Sequence, residues 1–258
     1  MIKSLYGIKF PQSEESLKYY EKQLKKALLT LGDKYRLATP IKKANTEMET
    51  KFETIEQGTE EWLNIRLGRV TGSRVADVLA TIKSGESASR RNYRIELVCE
   101  RLTGKRGETY INYHMERGTT LEPVARSLYE TKTGNFVSQI GFAHHPSIEM
   151  SGASPDGLTD CGNLIEIKCP TAAKHIETVL SGKSPSKYYP QMQWQMACTG
   201  SEWCDFVSYC PDVGEELALF ITRVPRDNEF IADAEKQVSA FLSEVDELTI
   251  QLKGMMNG

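Results

Sequence analysis

The chain has 258 residues, 40% hydrophobic and 26% charged, with 32 Lys and Arg against 35 Asp and Glu for a formal net charge of −3. That length fits one large domain, or one domain with an added segment, and the composition is ordinary for a soluble globular fold. A net acidic chain argues against a protein that coats nucleic acid through overall charge, but leaves room for an enzyme whose basic groups line one inner surface.

In chain order, the first predicted element is an amphipathic helix from about Ser13 to Leu31. Ser13 is its N-cap, Gly32 its terminator, and Leu17, Tyr20, Leu24, Leu28 and Leu31 its apolar stripe. A connector through Thr39-Pro40 follows, so residues 1–50 read as an N-terminal helical extension and residues 51–258 as the main domain. Helices are expected at 59–67, 73–83, 90–103 and 116–133. Strands are expected at 135–143, 149–154, 157–160 and 164–169, then helices at 172–181 and 189–199. Strands near 203–210 and 216–224 precede a long helix over 227–253, whose stripe from Phe230 to Leu252 suits packing along a sheet. Helices before and after a mixed central sheet indicate an α/β or α+β sandwich. No run approaches a membrane span and the amino terminus lacks the pattern of a secretion signal, so a cytoplasmic location is expected. Without that signal, the six cysteines read as reduced thiols, and Cys198, Cys204 and Cys210 as packed thiols more readily than as a metal site.

The most informative stretch is Ser154-Pro155-Asp156-Gly157 followed, across a Cys161-Gly162-Asn163 turn, by Leu164-Ile165-Glu166-Ile167-Lys168. Alternation along a strand puts Leu164, Glu166 and Lys168 on one face and Ile165 and Ile167 on the other. An otherwise apolar strand would then present a carboxylate and an ammonium beside Asp156 of its neighbour. Burying the three together is costly unless a divalent cation joins them, and hard oxygens suit magnesium. The competing reading is an exposed cross-strand ion pair between Glu166 and Lys168.

Further constellations carry weaker signals. Glu122 borders a helix face marked by Leu121, Ala125 and Leu128, with Gly118 able to admit another backbone; it reads as a metal ligand or as a solvated glutamate. Arg66, followed by Thr71-Gly72-Ser73 at a helix start, could bind a phosphate, or Ser73 could simply cap the helix. Trp62 fits a core position better than a stacking platform. Lys187 and Tyr188 flank a helix start, and Gln191 and Gln195 share one face of that helix; they could hold a phosphate oxygen or lie on the surface. Arg90, Arg91, Arg94, Lys105 and Arg106 suit a solvated helix face better than a phosphate contact. His144 and His145, being adjacent, face opposite ways and fit a loop better than a metal site.

Taken in order, Glu56–Gly68 (E-x-G-x-x-E-W-x-x-x-R-L-G), Thr71-Gly72-Ser73, Glu122, Ser154–Gly157, Glu166–Lys168 and Tyr188–Met196 resemble the YqaJ-like viral recombinases. That family is the lambda-exonuclease branch of the PD-(D/E)XK nuclease superfamily, and the resemblance covers roughly residues 54–250. It implies a restriction-endonuclease-like mixed β-sheet flanked by helices. It implies a Mg2+-dependent 5′-to-3′ exonuclease on linear double-stranded DNA that leaves 3′ overhangs for homologous recombination. Mn2+ could substitute, with two ions per active site. Asp156, Glu166, the Ile167 carbonyl and Glu122 match the metal ligands, Lys168 the lysine that orients water, and Gln191 a polar catalytic group. Arg66 and Ser73 match the pocket for the terminal 5′-phosphate, and Tyr188 a substrate contact. The resemblance further implies a trimeric ring, a single-strand annealing protein as partner, and a phage or prophage origin in a bacterial host. Residues 1–50 exceed the family core, and Pro190 is expected to shift Gln191. The alternatives are a sequence- or structure-specific endonuclease on the same core, and a non-hydrolytic DNA-end-binding protein.

Overall fold

The computed structural model describes residues 52–107 and 113–256; the helix expected at Ser13–Leu31 and its connector lie outside them. The expected mixed α/β architecture is present among the described residues, with its strands divided between two sheets. One sheet runs β1 (Phe52–Glu53), β4 (Phe142–His144), β5 (Ser151–Ala153), β2 (Val70–Thr71). The other runs β3 (Val137–Ser138), β6 (Gly157–Thr159), β7 (Leu164–Lys168), β8 (Trp203–Tyr209), β9 (Leu219–Pro225), with β7 and β8 parallel and the remaining pairs antiparallel.

The division corrects the single strand expected at 135–143. Its first part pairs with β6 and its second with β1 and β5, so the chain crosses between sheets at residues 139–141. Gly141 makes this possible: its N–H donates to the Glu53 carbonyl at 3.1 Å, and a Cβ there would collide with the Ile55 carbonyl.

The helices are α1 (Glu60–Ile65), α2 (Val75–Val78), α3 (Ala88–Thr103), α4 (Tyr113–Thr133), α5 (Ala172–Ser181), α6 (Tyr189–Thr199) and α7 (Asn228–Met256). The helix expected over 73–83 is reduced to a 3-10 turn at Gly72–Arg74 and the single turn of α2, because Thr81 turns back to bridge Glu86 around Gly85 at φ 84°. Ser87 caps α3 by accepting from Arg90 N at 3.2 Å, and Gly104 ends it in the left-handed conformation at φ 66°. The long α7 packs chiefly on α3, α2 and α6, not along a sheet as expected. Its Ala234, Val238, Phe241 and Val245 are buried, and Leu252 is exposed.

Strand β7 lies between two apolar layers, as its alternation requires. Leu164 packs with Met192, Met196 and Phe206 on the α6 side, while Ile165 and Ile167 pack with Ala125, Tyr129 and Val207 on the α4 side. Truncating such a buried Ile to Ala costs about 2–5 kcal/mol, so β7 is held firmly from both faces. A third cluster, with Val70, Tyr93, Trp194 and Phe241, joins α3, α6 and α7 to β2.

Candidate active site

The chemistry sits on the second half of β7, where the apolar alternation is interrupted by Glu166 and Lys168. Glu166 is completely buried. A carboxylate in such a place costs several kcal/mol if left alone, and three donors answer it. Gln191 Nε2 (2.6 Å) and the Lys168 ammonium reach Oε1, and Gln195 Nε2 (2.6 Å) reaches Oε2. The two glutamines are four residues apart on α6 and therefore stack on one face. Pro190 lies in the first turn of α6, where its missing N–H is not needed, and Gln191 is not displaced from the site by it.

Asp156 arrives from the loop between β5 and β6. Its Oδ2 accepts the Ile167 N–H at 2.7 Å, which fixes the aspartate against β7 as the hairpin pattern demands. Gln57 Nε2 holds that loop by donating to the Ile140 and Pro155 carbonyls, both at 2.8 Å. Burial, then the facing Glu166 carboxylate, pushes the Asp156 pKa well above the usual range; the Lys168 ammonium and the Ile167 N–H oppose the rise without cancelling it. For Lys168, burial works to lower the pKa, but Glu166 and Asp156 outweigh it and the net shift is upward. The lysine therefore stays protonated at neutral and alkaline pH.

Glu122 lines the same cleft, paired with Arg126 four residues on at 2.5 Å. Arg126 also donates to the Asp156 carbonyl at 3.2 Å, which ties α4 to the aspartate loop. Burial raises the Glu122 pKa, opposed by Arg126 and Lys168. The core face of α4 is Leu121, Ala125 and Tyr129; Leu128, expected there, is exposed because the helix turns it one step away. Gly118 admits no close backbone among the described residues.

Beside Trp62, which lines the cleft, Arg66 closes α1 with its guanidinium 4.1 Å from the Trp62 ring centroid and Nη1 3.3 Å from Ser154 Oγ. Burial lowers the Arg66 pKa to about 10, which leaves it charged at neutral pH. Trp62 is not the core residue expected. It is half-buried, lines the cleft, and donates from Nε1 to Ser154 Oγ (2.9 Å) and the Gly141 carbonyl (3.1 Å). Ser73 is exposed within the 3-10 turn, does not line the cleft, and is not a helix N-cap, a place taken by Thr71. Tyr188 lies on the rim, stacked on Phe206 at 5.6 Å, with Lys187 Nζ 4.6 Å and Lys168 Nζ 5.3 Å from its ring centroid. The cleft encloses about 620 Å³.

The oxygen set fits a hard divalent ion. Asp156 carries a carboxylate whose ionisation is suppressed by burial and then by the neighbouring Glu166 carboxylate, a condition a cation relieves. Among the described residues no three His, Cys, Asp or Glu side chains stand close enough to hold an ion by themselves. Asp156 and Glu166 would thus need the Ile167 carbonyl as a third protein ligand, with Glu122, held through one oxygen by Arg126, lining the same cleft.

Gln195, Arg126, Trp62, Ser154 and Gln57 therefore belong to the site although the sequence reading gave none of them a firm role there. The Glu122–Arg126 spacing of i, i+4 was a usable signal; the partners of Trp62 lie about 80 to 90 residues away and were not. Elsewhere, Arg90 and Arg94 are not solvated but pair with Glu86 and Glu244, locking α3 to α7. His144 ends β4 near Glu53, whereas His145 lies in the loop that follows, buried against Trp194 with ring centroids 4.8 Å apart. All six cysteines are free, and Cys198, Cys204 and Cys210 are buried.

Residues 61–202 match the YqaJ-like viral recombinase domain. An alkaline exonuclease from Laribacter hongkongensis is 50% identical, with a TM-score of 0.71 over 77% of this chain and 98% of its own. Its complex with dAMP gives a TM-score of 0.73 at 49% identity over the same shares. A phage-related exonuclease from Haemophilus somnus shares the fold at 16% identity, with a TM-score of 0.57 over 71% of this chain and 96% of its own. A search of curated proteins finds no match.

Proposed function

Because the chain belongs to the YqaJ-like viral recombinase family, we propose that it is a divalent-metal-dependent exonuclease acting on linear double-stranded DNA. It is a DNA nuclease; the finer reading is Mg2+ dependence, 5′-to-3′ polarity and production of 3′ overhangs for recombination. The observation that carries this reading is Glu166, fully buried under three donors, next to Asp156 and Lys168, which both line a cleft. A structural strand has no use for that arrangement, since an apolar side chain in place of Glu166 would be as stable or more so.

Asp156, Glu166 and the Ile167 carbonyl would hold the ion, with Glu122 available to a second. A bound ion supplies positive charge and Lewis-acid polarisation at the phosphoryl group. Lys168, protonated and held by Glu166, can donate to an attacking water or to a phosphoryl oxygen as negative charge grows there. Gln191 and Gln195 hold Glu166 in one orientation beside Lys168. Arg66 and Ser154, oriented by Trp62, offer donors for a terminal 5′-phosphate, with Tyr188 as a further substrate contact; Ser73, away from the cleft, is left out of that pocket. In this reading residues 1–50 are an added segment before the nuclease domain, and a ring-shaped trimer and a single-strand annealing protein complete the system in a bacterial cytoplasm.

The test is digestion of linear duplex labelled at either end, with Mg2+ present. Early loss of the 5′ label with the 3′ label retained on shortening strands is expected. Linearisation of closed circular duplex would indicate an endonuclease instead.

A further inference from the structure

Past Lys168 the cleft continues into a second cavity of about 320 Å³, within the roughly 300–1,000 Å³ of small-ligand sites. It opens at the carboxyl ends of the parallel strands β7 and β8, where Lys168 is in register with Ser208, beside α5 and the turn Ser186–Tyr188. Crevices at the carboxyl ends of parallel strands are where open α/β sheets take ligands. Two properties of this one point to a nucleotide. Its apolar wall is Tyr188 backed by Phe206, with Pro170 and Pro185 alongside, and Lys168, Lys174 and Lys187 surround it against the single acid Glu177. A flat aromatic surface with excess positive charge suits a base attached to phosphate.

Which residues line each space says which nucleotide. Trp62, Glu122 and Asp156 line only the catalytic cleft, Phe206 and Ser208 only the second cavity, and Lys168, Lys174, Lys187 and Tyr188 both. Trp62, which contacts Arg66 and Ser154, therefore shares the cleft with Asp156, and the second cavity joins that cleft at Lys168 without including Trp62. Resting on the exonuclease reading above, we infer that the cavity is a nucleotide subsite for the residue on the 3′ side of the scissile phosphate. Tyr188 contacts its base, and Lys174 and Lys187 attract its phosphates. Hydrolysis forms a bond from the water oxygen to phosphorus and breaks the bond to the 3′ oxygen of the terminal nucleotide, which leaves with a proton. The residue in the cavity keeps the new 5′-phosphate and is the terminus for the next cycle. The subsite thus grips the strand while the cleaved nucleotide leaves.

The experiment uses the full chain, Mg2+ and 5′-phosphorylated linear duplex in single turnover, reading release of the first nucleotide. Substrates carry an abasic tetrahydrofuran unit at the second or the fourth position, or no lesion. The second-position lesion should slow release about tenfold, the scale of one base–aromatic contact, and the fourth-position lesion less than twofold. Equal rates for all three, or equal slowing at both positions, overturns the inference. Ser181→Tyr, which places a ring at the exposed cavity wall, and Lys174→Glu, on the surface of α5, locate the effect. In either variant, once thermal unfolding matches the parent, intact duplex should slow towards the lesion substrate. Undiminished tenfold discrimination in both overturns the assignment to this cavity. Absence of any duplex degradation by the unsubstituted protein refutes the exonuclease reading itself; degradation without discrimination refutes the subsite alone.

Discussion

Asp156→Asn separates the role of this carboxylate from its effect on stability. Asparagine keeps an oxygen that can accept the Ile167 N–H, now 2.7 Å from Asp156 Oδ2, and removes the negative charge facing buried Glu166. The net upward pKa shift means that, without a cation, burial and Glu166 outweigh the Ile167 and Lys168 contributions. The folded state therefore binds the Asp156 proton more tightly than the unfolded chain does. Its share of stability is full below the unfolded carboxylate pKa of about 4 and is lost as pH rises through the higher folded value. At pH 8.5 in EDTA the variant should be more stable than the parent by about 1–3 kcal/mol, the scale of an ill-compensated buried polar group. For a domain of this size each kcal/mol moves Tm by about 2–4 °C. At pH 4 the gain should largely disappear. Saturating Mg2+ should raise the Tm of the parent and leave the variant nearly unmoved, and exonuclease activity should fall at least about 100-fold in the variant. Thermal unfolding across pH, with and without Mg2+, measures all of this. A variant less stable than the parent at pH 8.5 in EDTA, or an equal Mg2+ shift in both, would refute the reasoning.

Three other substitutions probe the remaining roles. Lys168→Ala should lower kcat by about 10²–10³, the usual loss of one charge-stabilising donor, with duplex binding by the Ca2+-loaded protein little changed; parental turnover would remove the lysine from the chemistry. Gln195→Leu deletes a charge-assisted hydrogen bond worth about 1.5–3 kcal/mol, but also removes a buried Gln195 Oε1 that has no partner. Chemical denaturation should therefore show a net loss of only about 0–2 kcal/mol, while Mg2+ affinity drops; a loss above about 4 kcal/mol would contradict this balance. Arg66→Ala should abolish any rate advantage of 5′-phosphorylated over 5′-hydroxyl duplex ends, and a preserved advantage would free Arg66 from phosphate recognition.

What the sequence disclosed well was whatever depends on local periodicity. Leu164 to Lys168 alternates cleanly enough to place Glu166 on one face and Ile165 and Ile167 on the other, and Gln191 and Gln195 stack because helical geometry allows nothing else. What stayed hidden depends on contacts between distant segments. Trp62 looks like a core residue until Gly141 and Ser154 are seen to hold its ring N–H at the cleft wall. The crossing at Gly141 turns one apparent strand into two because residues 53–55 press against it, and nothing near position 141 announces that neighbour. Arg90 and Arg94 read as solvated because their carboxylate on α7 lies about 150 residues downstream.

These observations also explain why the site needs the second sheet to be mixed. Glu166 can be fully buried only if donors stand over it, and they come from α6, inside the crossover that makes β7 and β8 parallel. The antiparallel neighbour β6 contributes what that crossover cannot, a loop that delivers Asp156 directly onto the Ile167 N–H. An all-antiparallel meander would lack the helix above Glu166, and an all-parallel sheet would not bring the start of β6, just after Asp156, alongside the second half of β7. The acidic pair is thus a product of β7 having one neighbour of each kind, with Lys168 at the carboxyl end where the parallel pair opens.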